Sequence, residues 1–213
     1  MFLMAAFPGF SQTPAEAPRM PDITISVYDY ADVSIDLLAA AEEDARRVFR
    51  QAGVETAWAT CLPKPGKVQP GDCYTVDATH LMMKILPRAI SAQARDRNDV
   101  LGTAIVDGKG VGYFAYVFYD SVQRVGEERK LGHALLGDVL AHEIGHLLLG
   151  SNSHTVSGIM SAHWHGEELR RISEAAMWFT PGQSRMLRDR LEFHKVDIPV
   201  VTRANARGTA TPL

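Results

Sequence analysis

The 213-residue sequence lacks several features that would place it in a specialised class of protein. It contains only 2 cysteines, which excludes a fold built on many disulfides. No apolar run reaches the roughly 20 residues that a transmembrane helix needs. Neither sign of charge dominates, with 22 Lys and Arg residues against 25 Asp and Glu residues, and no basic patch with interleaved aromatics stands out. We therefore expect no membrane span and no nucleic-acid partner.

The sequence does contain enough hydrophobic residues to form the core of one folded domain. Hydrophobic residues make up 46% of the chain and charged residues 22%, as in ordinary soluble globular proteins. The length suits a single hydrophobic core better than two. We assign residues 18–193 to this domain and residues 194–213, which lack a sustained pattern, to a C-terminal tail. The sequence does not indicate an oligomeric state.

Residues 1–17 are interpreted as a signal peptide. An apolar stretch from Met1 to Phe10 is followed by a polar, proline-containing segment and by small residues at Ala15 and Ala17. This order is typical of a secretory signal with its cleavage site. The stretch has no basic residue before it, so a hydrophobic but unstructured start is the alternative. The interpretation predicts an exported protein, either secreted or periplasmic.

The two cysteines, Cys61 and Cys73, enclose a segment rich in proline and glycine. In an exported protein such a pair is typical of a disulfide, which would stabilise the fold by about 3 kcal/mol on the chain-entropy estimate. A cysteine pair on a metal is the alternative, but zinc-binding pairs usually stand only two to four residues apart. We predict a Cys61–Cys73 disulfide.

The pattern of apolar residues predicts a mixed sheet covered by helices. Ser34 is a suitable N-cap for an amphipathic helix that Gly53 ends, and Gly150 ends a second, strongly apolar helix over 131–149. Thr180 begins a capping box for a C-terminal helix. A helix between the first two strands makes them parallel. The strand-like segments are 23–30, 54–60, 80–86, 101–106 and 113–119.

The helix over 131–149 carries the residues with the clearest chemistry. His142, Glu143 and His146 form an HExxH pattern, in which two histidines four residues apart lie on one face of the helix and can share a metal ion. Zn²⁺ binds neutral imidazole well, and a catalytic zinc keeps one position open for water. Glu143 follows the first ligand directly and can act as the general base for that water. Histidines that merely face solvent are the alternative.

Residues 138–160 resemble the catalytic segment of the metzincin clan of zinc peptidases. The clan pattern HExxHxxGxxH corresponds here to the HExxH residues followed by Gly150 and His154, with one additional residue on each side of the glycine. The resemblance implies that His154 is the third zinc ligand. It also implies an α+β zincin fold, with a mixed sheet, packed helices, an active-site helix and a small C-terminal subdomain.

The clan also has a methionine in a tight turn beneath the metal. Met160, which follows Ser157, Gly158 and Ile159, would serve as this Met-turn, although a lone methionine is more often core filling. Carboxylates further along the chain are alternative third ligands if a second helix packs over the site. These candidates are Glu167, Glu168 and Glu174.

His133, His163 and His165 are interpreted as surface residues, and no pattern around His80 or His194 indicates a partner. His133 lies nine residues before the first HExxH histidine and points elsewhere on the helix. His163 and His165 flank Trp164 shortly after the proposed Met-turn. They could instead support the site or act as hydrogen-bond donors.

The resemblance implies a zinc-dependent endopeptidase that hydrolyses a peptide or protein substrate by Glu143-assisted attack of a zinc-bound water. Two alternatives remain: a zincin with a glutamate third ligand, and a metal-binding or interaction module of the same fold without turnover. The presence of Glu143 argues against the second, because loss of the general base is the simplest route to an inactive relative.

Overall fold

The computed structural model describes residues 22–61, 73, 79–88, 100–108, 110 and 112–196. Residues 1–17, interpreted as a signal peptide, lie outside the described part, and so do residues 197–213 of the predicted tail. The domain limits therefore stay predictions.

The described chain contains a five-stranded mixed sheet with the strand order β2-β1-β3-β5-β4. The pairs β1–β2, β1–β3 and β3–β5 are parallel, whereas β4 pairs antiparallel with β5 at one edge. The parallel pairing of β1 with β2 follows from the helix between them and confirms the prediction. The strands are β1 (Ile23–Asp29), β2 (Thr56–Cys61), β3 (His80–Leu86), β4 (Gly102–Val106) and β5 (Gly112–Phe118).

Local sequence explains where the main helices begin and end. Ser34 accepts a hydrogen bond from the backbone of Leu37 at the start of α1. Thr180 and Gln183 cap each other's backbone N–H groups at the start of α5, as the capping box predicts. The helices described are α1 (Ile35–Gln51), α2 (Tyr119–Arg129), α3 (Gly132–Leu149), α4 (Gly166–Ser173) and α5 (Pro181–Val196).

α3 occupies the centre of the molecule. It packs against α1 on one side and contacts β3, β4 and β5 on the other. Leu135, Leu140 and Ile144 on this helix are fully buried in the hydrophobic core. Because α3 is fixed on both sides, the side chains it presents are held in place by the core rather than by flexible loops. The α+β architecture predicted from the sequence is confirmed.

Two helices were not predicted from the sequence. Tyr119, assigned to the end of a strand, instead begins α2 directly after β5, with no side-chain cap at Phe118 to mark the change. α4 is only eight residues long and buries Ile172 alone. Both helices therefore lack the capping residues and the broad apolar face on which prediction relies.

Cys61 and Cys73 form the predicted disulfide, with their Cα atoms 5.7 Å apart. Cys61 ends β2, and the backbone carbonyl of Cys73 accepts a hydrogen bond from the hydroxyl of Tyr28 on the neighbouring strand. The disulfide therefore ties Cys73 to the sheet edge. Among the helices described, none has the length and apolar character required to cross a membrane.

Candidate metal centre

Three histidine side chains converge at the C-terminal end of α3. His142 and His146 lie one turn apart, with their Nε2 atoms 3.1 Å from each other. His154 comes from the loop after the helix and places its Nε2 3.0 Å from Nε2 of His146. In the part of the chain that the structure describes, this is the one group of three or more His, Cys, Asp or Glu side chains whose ligand atoms lie close enough to share a metal ion.

Hydrogen bonds on the far side of two imidazole rings determine their tautomers. Nδ1 of His142 lies 2.7 Å from the carbonyl oxygen of Ile159, which can only accept, so Nδ1 carries the proton. Ser153 Oγ donates to the carbonyl of Gly150 at 2.7 Å and must therefore accept from Nδ1 of His146 at 2.9 Å. Both Nε2 atoms are consequently unprotonated lone-pair donors, as metal-binding imidazoles are.

This donor set fits a zinc ion. Unprotonated Nε2 atoms of His142 and His146, 3.1 Å apart, repel each other unless a cation lies between them. Tetrahedral zinc with Zn–N distances of about 2.0–2.1 Å separates its ligand nitrogens by about 3.3 Å. The observed spacing is close to that value, and three neutral imidazoles are a ligand set that zinc commonly uses.

The environment favours the neutral form of all three histidines. Burial lowers the pKa of His142 to about 4. Burial also lowers the pKa of His146, with a further contribution from the charge of His154. The pKa of His154 is lowered by burial and then by His163. Neutral imidazole is the form that binds metal, so the cluster is ready to bind metal at neutral pH.

Glu143 lies beside the histidine cluster and is only 5% exposed. Burial raises the pKa of this carboxyl group to about 8. A cation in the cluster would counteract this shift, because a nearby positive charge favours the carboxylate. The side chain borders the same cavity as the three histidines, where an ionised carboxylate could accept a proton.

The chain after α3 turns back beneath the helix. Gly150 ends the helix with a φ of 92° and Gly158 has a φ of 85°, both in the region that favours glycine. Met160 is fully buried and lies under α3, since a Cβ atom on Gly145 would be 2.5 Å from its sulfur. The turn therefore brings the carbonyl of Ile159 to the ring of His142 and the sulfur of Met160 to α3 at Gly145.

A cavity of about 700 Å³ opens over the histidine cluster. β4 and α2 form part of its wall, and the segment from Ser161 to Leu169 forms another part. Trp164 packs edge-on against the ring of His142, with ring centroids 5.5 Å apart and an interplanar angle of 86°. The cavity is large enough for a segment of extended peptide.

The alternative carboxylate ligands lie apart from the cluster. α4 does exist, as such ligands would require, but Glu167 and Glu174 form ion pairs with Arg170 on its surface. Glu168 is likewise absent from the group of convergent metal-ligating side chains in the described residues. The geometry therefore favours His154 over the three glutamates.

His133, His163 and His165 occupy exposed positions, whereas His80 is 7% exposed and its Nε2 lies 2.9 Å from Oγ of Ser26. The side chain of His133 is 53% exposed and its Nδ1 lies 2.6 Å from a carboxylate oxygen of Asp44, far from the cluster. His163 and His165 are exposed and their rings stack with centroids 5.9 Å apart. They nevertheless border the cavity, a position that the sequence does not reveal.

Several residues that shape the site carried no recognisable signal in the sequence. Ser153 holds His146 through its hydroxyl, Trp164 packs on His142, and Gly102 lies against Glu143. No sequence motif indicates the contact of Ser153 with His146, and the contacts of Trp164 and Gly102 join residues distant in the chain. Only the three-dimensional fold brings these groups together.

The fold and the convergent histidines define a zincin-like architecture, and comparison with solved structures agrees with this. Archaemetzincin from Methanopyrus kandleri has a similar fold, with a TM-score of 0.53 and 14% sequence identity over 83% of this chain and 99% of that one. A zinc-dependent peptidase from Methanocorpusculum labreanum superposes with a TM-score of 0.48 and 15% identity over 76% of this chain and 99% of that chain. No protein-family model and no curated protein matches the sequence. The first similarity supports the zincin fold class predicted from the sequence.

Proposed function

We propose that the protein is a zinc-dependent peptidase of the metzincin type, with zinc held by His142, His146 and His154. The observation that carries the proposal is the pair of facing, unprotonated Nε2 atoms on α3, with a third imidazole within 3.0 Å. The buried Glu143 beside them supplies the acid–base group. The similarity of the fold to archaemetzincin makes a peptide or protein the favoured substrate.

The chain's own residues have distinct roles in the proposed reaction. A bound zinc ion would polarise the scissile carbonyl and lower the pKa of water to about 7. Glu143 accepts the proton from the attacking water and passes it to the leaving amine. The carbonyl of Ile159 and the hydroxyl of Ser153 hold two imidazoles in the tautomer that leaves Nε2 free. The cavity over the cluster receives the substrate.

The assignment to the metzincin type rests on the loop after α3. Gly150 ends the helix in a conformation that favours glycine, and the following loop returns His154 to the other two histidines despite the two additional residues. Met160 lies buried beneath the helix, as the methionine of a Met-turn would. These features support both His154 as the third ligand and Met160 as the turn residue.

Zinc content and peptide cleavage measured on the same preparation test the proposal. We expect about one zinc per chain, loss of hydrolysis of a mixed peptide library on chelation, and recovery when zinc is restored. His133→Ala is the matched control, because His133 lies on the same helix but contacts Asp44 instead of the cluster. Cleavage that persists in metal-free protein, or a zinc-loaded protein that cleaves no peptide, would contradict the proposal.

We also propose that the protein is exported. The Cys61–Cys73 disulfide supports this, because disulfides persist in oxidising compartments and are rare in the cytosol. Mass spectrometry of the protein recovered from each cell fraction tests the proposal. Protein found in the cytosolic fraction with two alkylatable thiols would contradict it.

A further inference from the structure

Gly102 makes an unusually close contact with the side chain of Glu143. It is the first residue of β4, the antiparallel edge strand that borders the cavity. A Cβ atom built on Gly102 would lie 2.6 Å from Oε1 of Glu143, 2.8 Å from Cδ and 2.8 Å from Cγ. The contact therefore runs along the side chain, and rotation of the carboxyl group alone could not relieve the overlap.

Packing, and not polar contacts, fixes the position of the Glu143 carboxyl group. Among the described residues Glu143 has no hydrogen-bond or ion-pair partner, in contrast to His142 and His146, whose rings are each held by hydrogen bonds. Its side chain is 5% exposed and lies between the α3 backbone and β4. The bare Cα of Gly102 is thus one wall of the space that the side chain occupies.

We infer that Gly102 is a positioning residue for Glu143: the absence of a side chain at the start of β4 lets the carboxyl group lie beside the histidine cluster. The inference rests on the proposed function, in which Glu143 moves the proton. A methyl group at position 102 displaces the carboxyl group, and misplacement of a reacting group by about 1 Å can cost on the order of 100-fold in rate. The three heavy atoms nearest to that Cβ all belong to Glu143 and none belongs to a histidine, so we expect zinc binding to be preserved.

Gly102→Ala in the zinc-loaded full-length protein tests this role. Neither Gly102 nor Gly108 has a positive φ, so alanine introduces no backbone strain at either position. Gly108→Ala is the matched control, because its Cβ would meet nothing within 4 Å. We expect Gly102→Ala to keep about one zinc per chain and an unchanged KM for peptide, while kcat falls by about 10- to 100-fold. Gly108→Ala should match the wild type. An unchanged kcat in Gly102→Ala, or a parallel loss of zinc, would overturn the inference.

A second measurement tests the contact without relying on activity. In metal-free protein, Gly102→Ala should raise the unfolding equilibrium constant by about tenfold, because an extra methyl group in a packed site destabilises the folded state. The same substitution in a Glu143→Ala background should change the unfolding equilibrium constant little, because the side-chain atoms that the methyl group would overlap are absent. The difference between the effects in the two backgrounds is the coupling of a double-mutant cycle. Equal costs in the two backgrounds would show that the methyl collides elsewhere and would overturn the inference. This cycle can be measured even if the protein proves not to be a peptidase, so the two failures are distinguishable.

Discussion

Two buried acids on the same helix, Asp138 and Glu143, have entirely different surroundings. Asp138 is 2% exposed and faces α1, where Asp44 and Arg47 lie nearby. Burial raises its pKa well above the usual range, the charge of Asp44 adds to the shift, and Arg47 opposes it. Glu143 is 5% exposed, faces the cavity, and has its pKa raised by burial alone.

The comparison shows that burial and a raised pKa do not identify a catalytic acid by themselves. Asp138 lies near charged groups on α1, where Asp44 forms an ion pair with Arg47, and Arg47 opposes the shift that burial and Asp44 produce. No charged group contributes to the pKa shift of Glu143, which lies beside the three convergent histidine side chains. Burying an acid that has no charged partner lowers the stability of the fold, and a functional role at the cavity would explain why the acid is there.

Replacing each acid with its amide should have the largest effect and should separate the roles of Glu143 and Asp138. Glu143→Gln should retain zinc and lose about 1000-fold in kcat, because an amide cannot accept the proton. Asp138→Asn, which makes the same chemical change on the same helix, should keep the wild-type kcat. Steady-state kinetics, normalised to bound zinc, measure both. Comparable losses in the two variants would contradict the assignment of different roles.

The second prediction concerns the stability of metal-free protein as a function of pH. The folded pKa of Glu143 is about 8, above its ordinary value of 4.5, so the unfolded chain releases this proton first. The contribution of the protonated Glu143 to folding stability is therefore full below about pH 4.5 and is lost as the pH rises towards about 8. Glu143→Gln does not ionise, so it should be more stable than the wild type at pH 8 by on the order of 4 kcal/mol.

Denaturant unfolding from pH 5 to pH 8 measures this difference. The variant's advantage should shrink towards pH 5, where the wild-type carboxyl group is protonated when folded. Shifts at Asp138 and His142 are common to both proteins and cancel in the comparison. An advantage that is constant across the pH range would contradict burial of an ionisable Glu143.

The third prediction addresses the α1-facing half of the helix. A Cβ atom on Gly137 would lie 2.6 Å from Cβ of Asp44 and 2.7 Å from the carbonyl oxygen of Ala41, so Gly137→Ala forces the two helices apart. We expect a loss of about 2 kcal/mol in the free energy of unfolding, with kcat per bound zinc unchanged. Gly126→Ala on α2, whose Cβ would have ordinary contacts at 3.8 Å, is the control. A loss of turnover without a loss of stability would place Gly137 in the site instead.

The sequence predicted the parts of the molecule that depend on local chemistry. α1 between Ser34 and Gly53, the stop at Gly150, and the capping box at Thr180 all depend on neighbours within one turn. The HExxH spacing likewise brings two histidines together on any helix. These features could be predicted because they require no knowledge of the tertiary fold.

The remainder depends on contacts between distant segments. α2 follows β5 without a capping residue at Phe118, so no local signal separates strand from helix. The packing of Trp164 on His142 and of Gly102 on Glu143 arises only when β4 and the loop after α3 meet the helix. No periodicity or motif encodes such contacts, and a glycine in a strand is compatible with many roles.

The role of His154 is tested by its zinc affinity: His154→Ala is compared with His163→Ala and His165→Ala by competition with a chromogenic chelator. In the proposed site His154 is a zinc ligand, and the other two histidines lie at the edge of the cavity. His154→Ala should therefore weaken zinc binding by far more than the roughly 100-fold upper range for loss of a group that only supports a ligand, while the other variants should bind nearly as the wild type does. Near-normal affinity in His154→Ala, with collapse in His163→Ala or His165→Ala, would contradict the proposed three-histidine site.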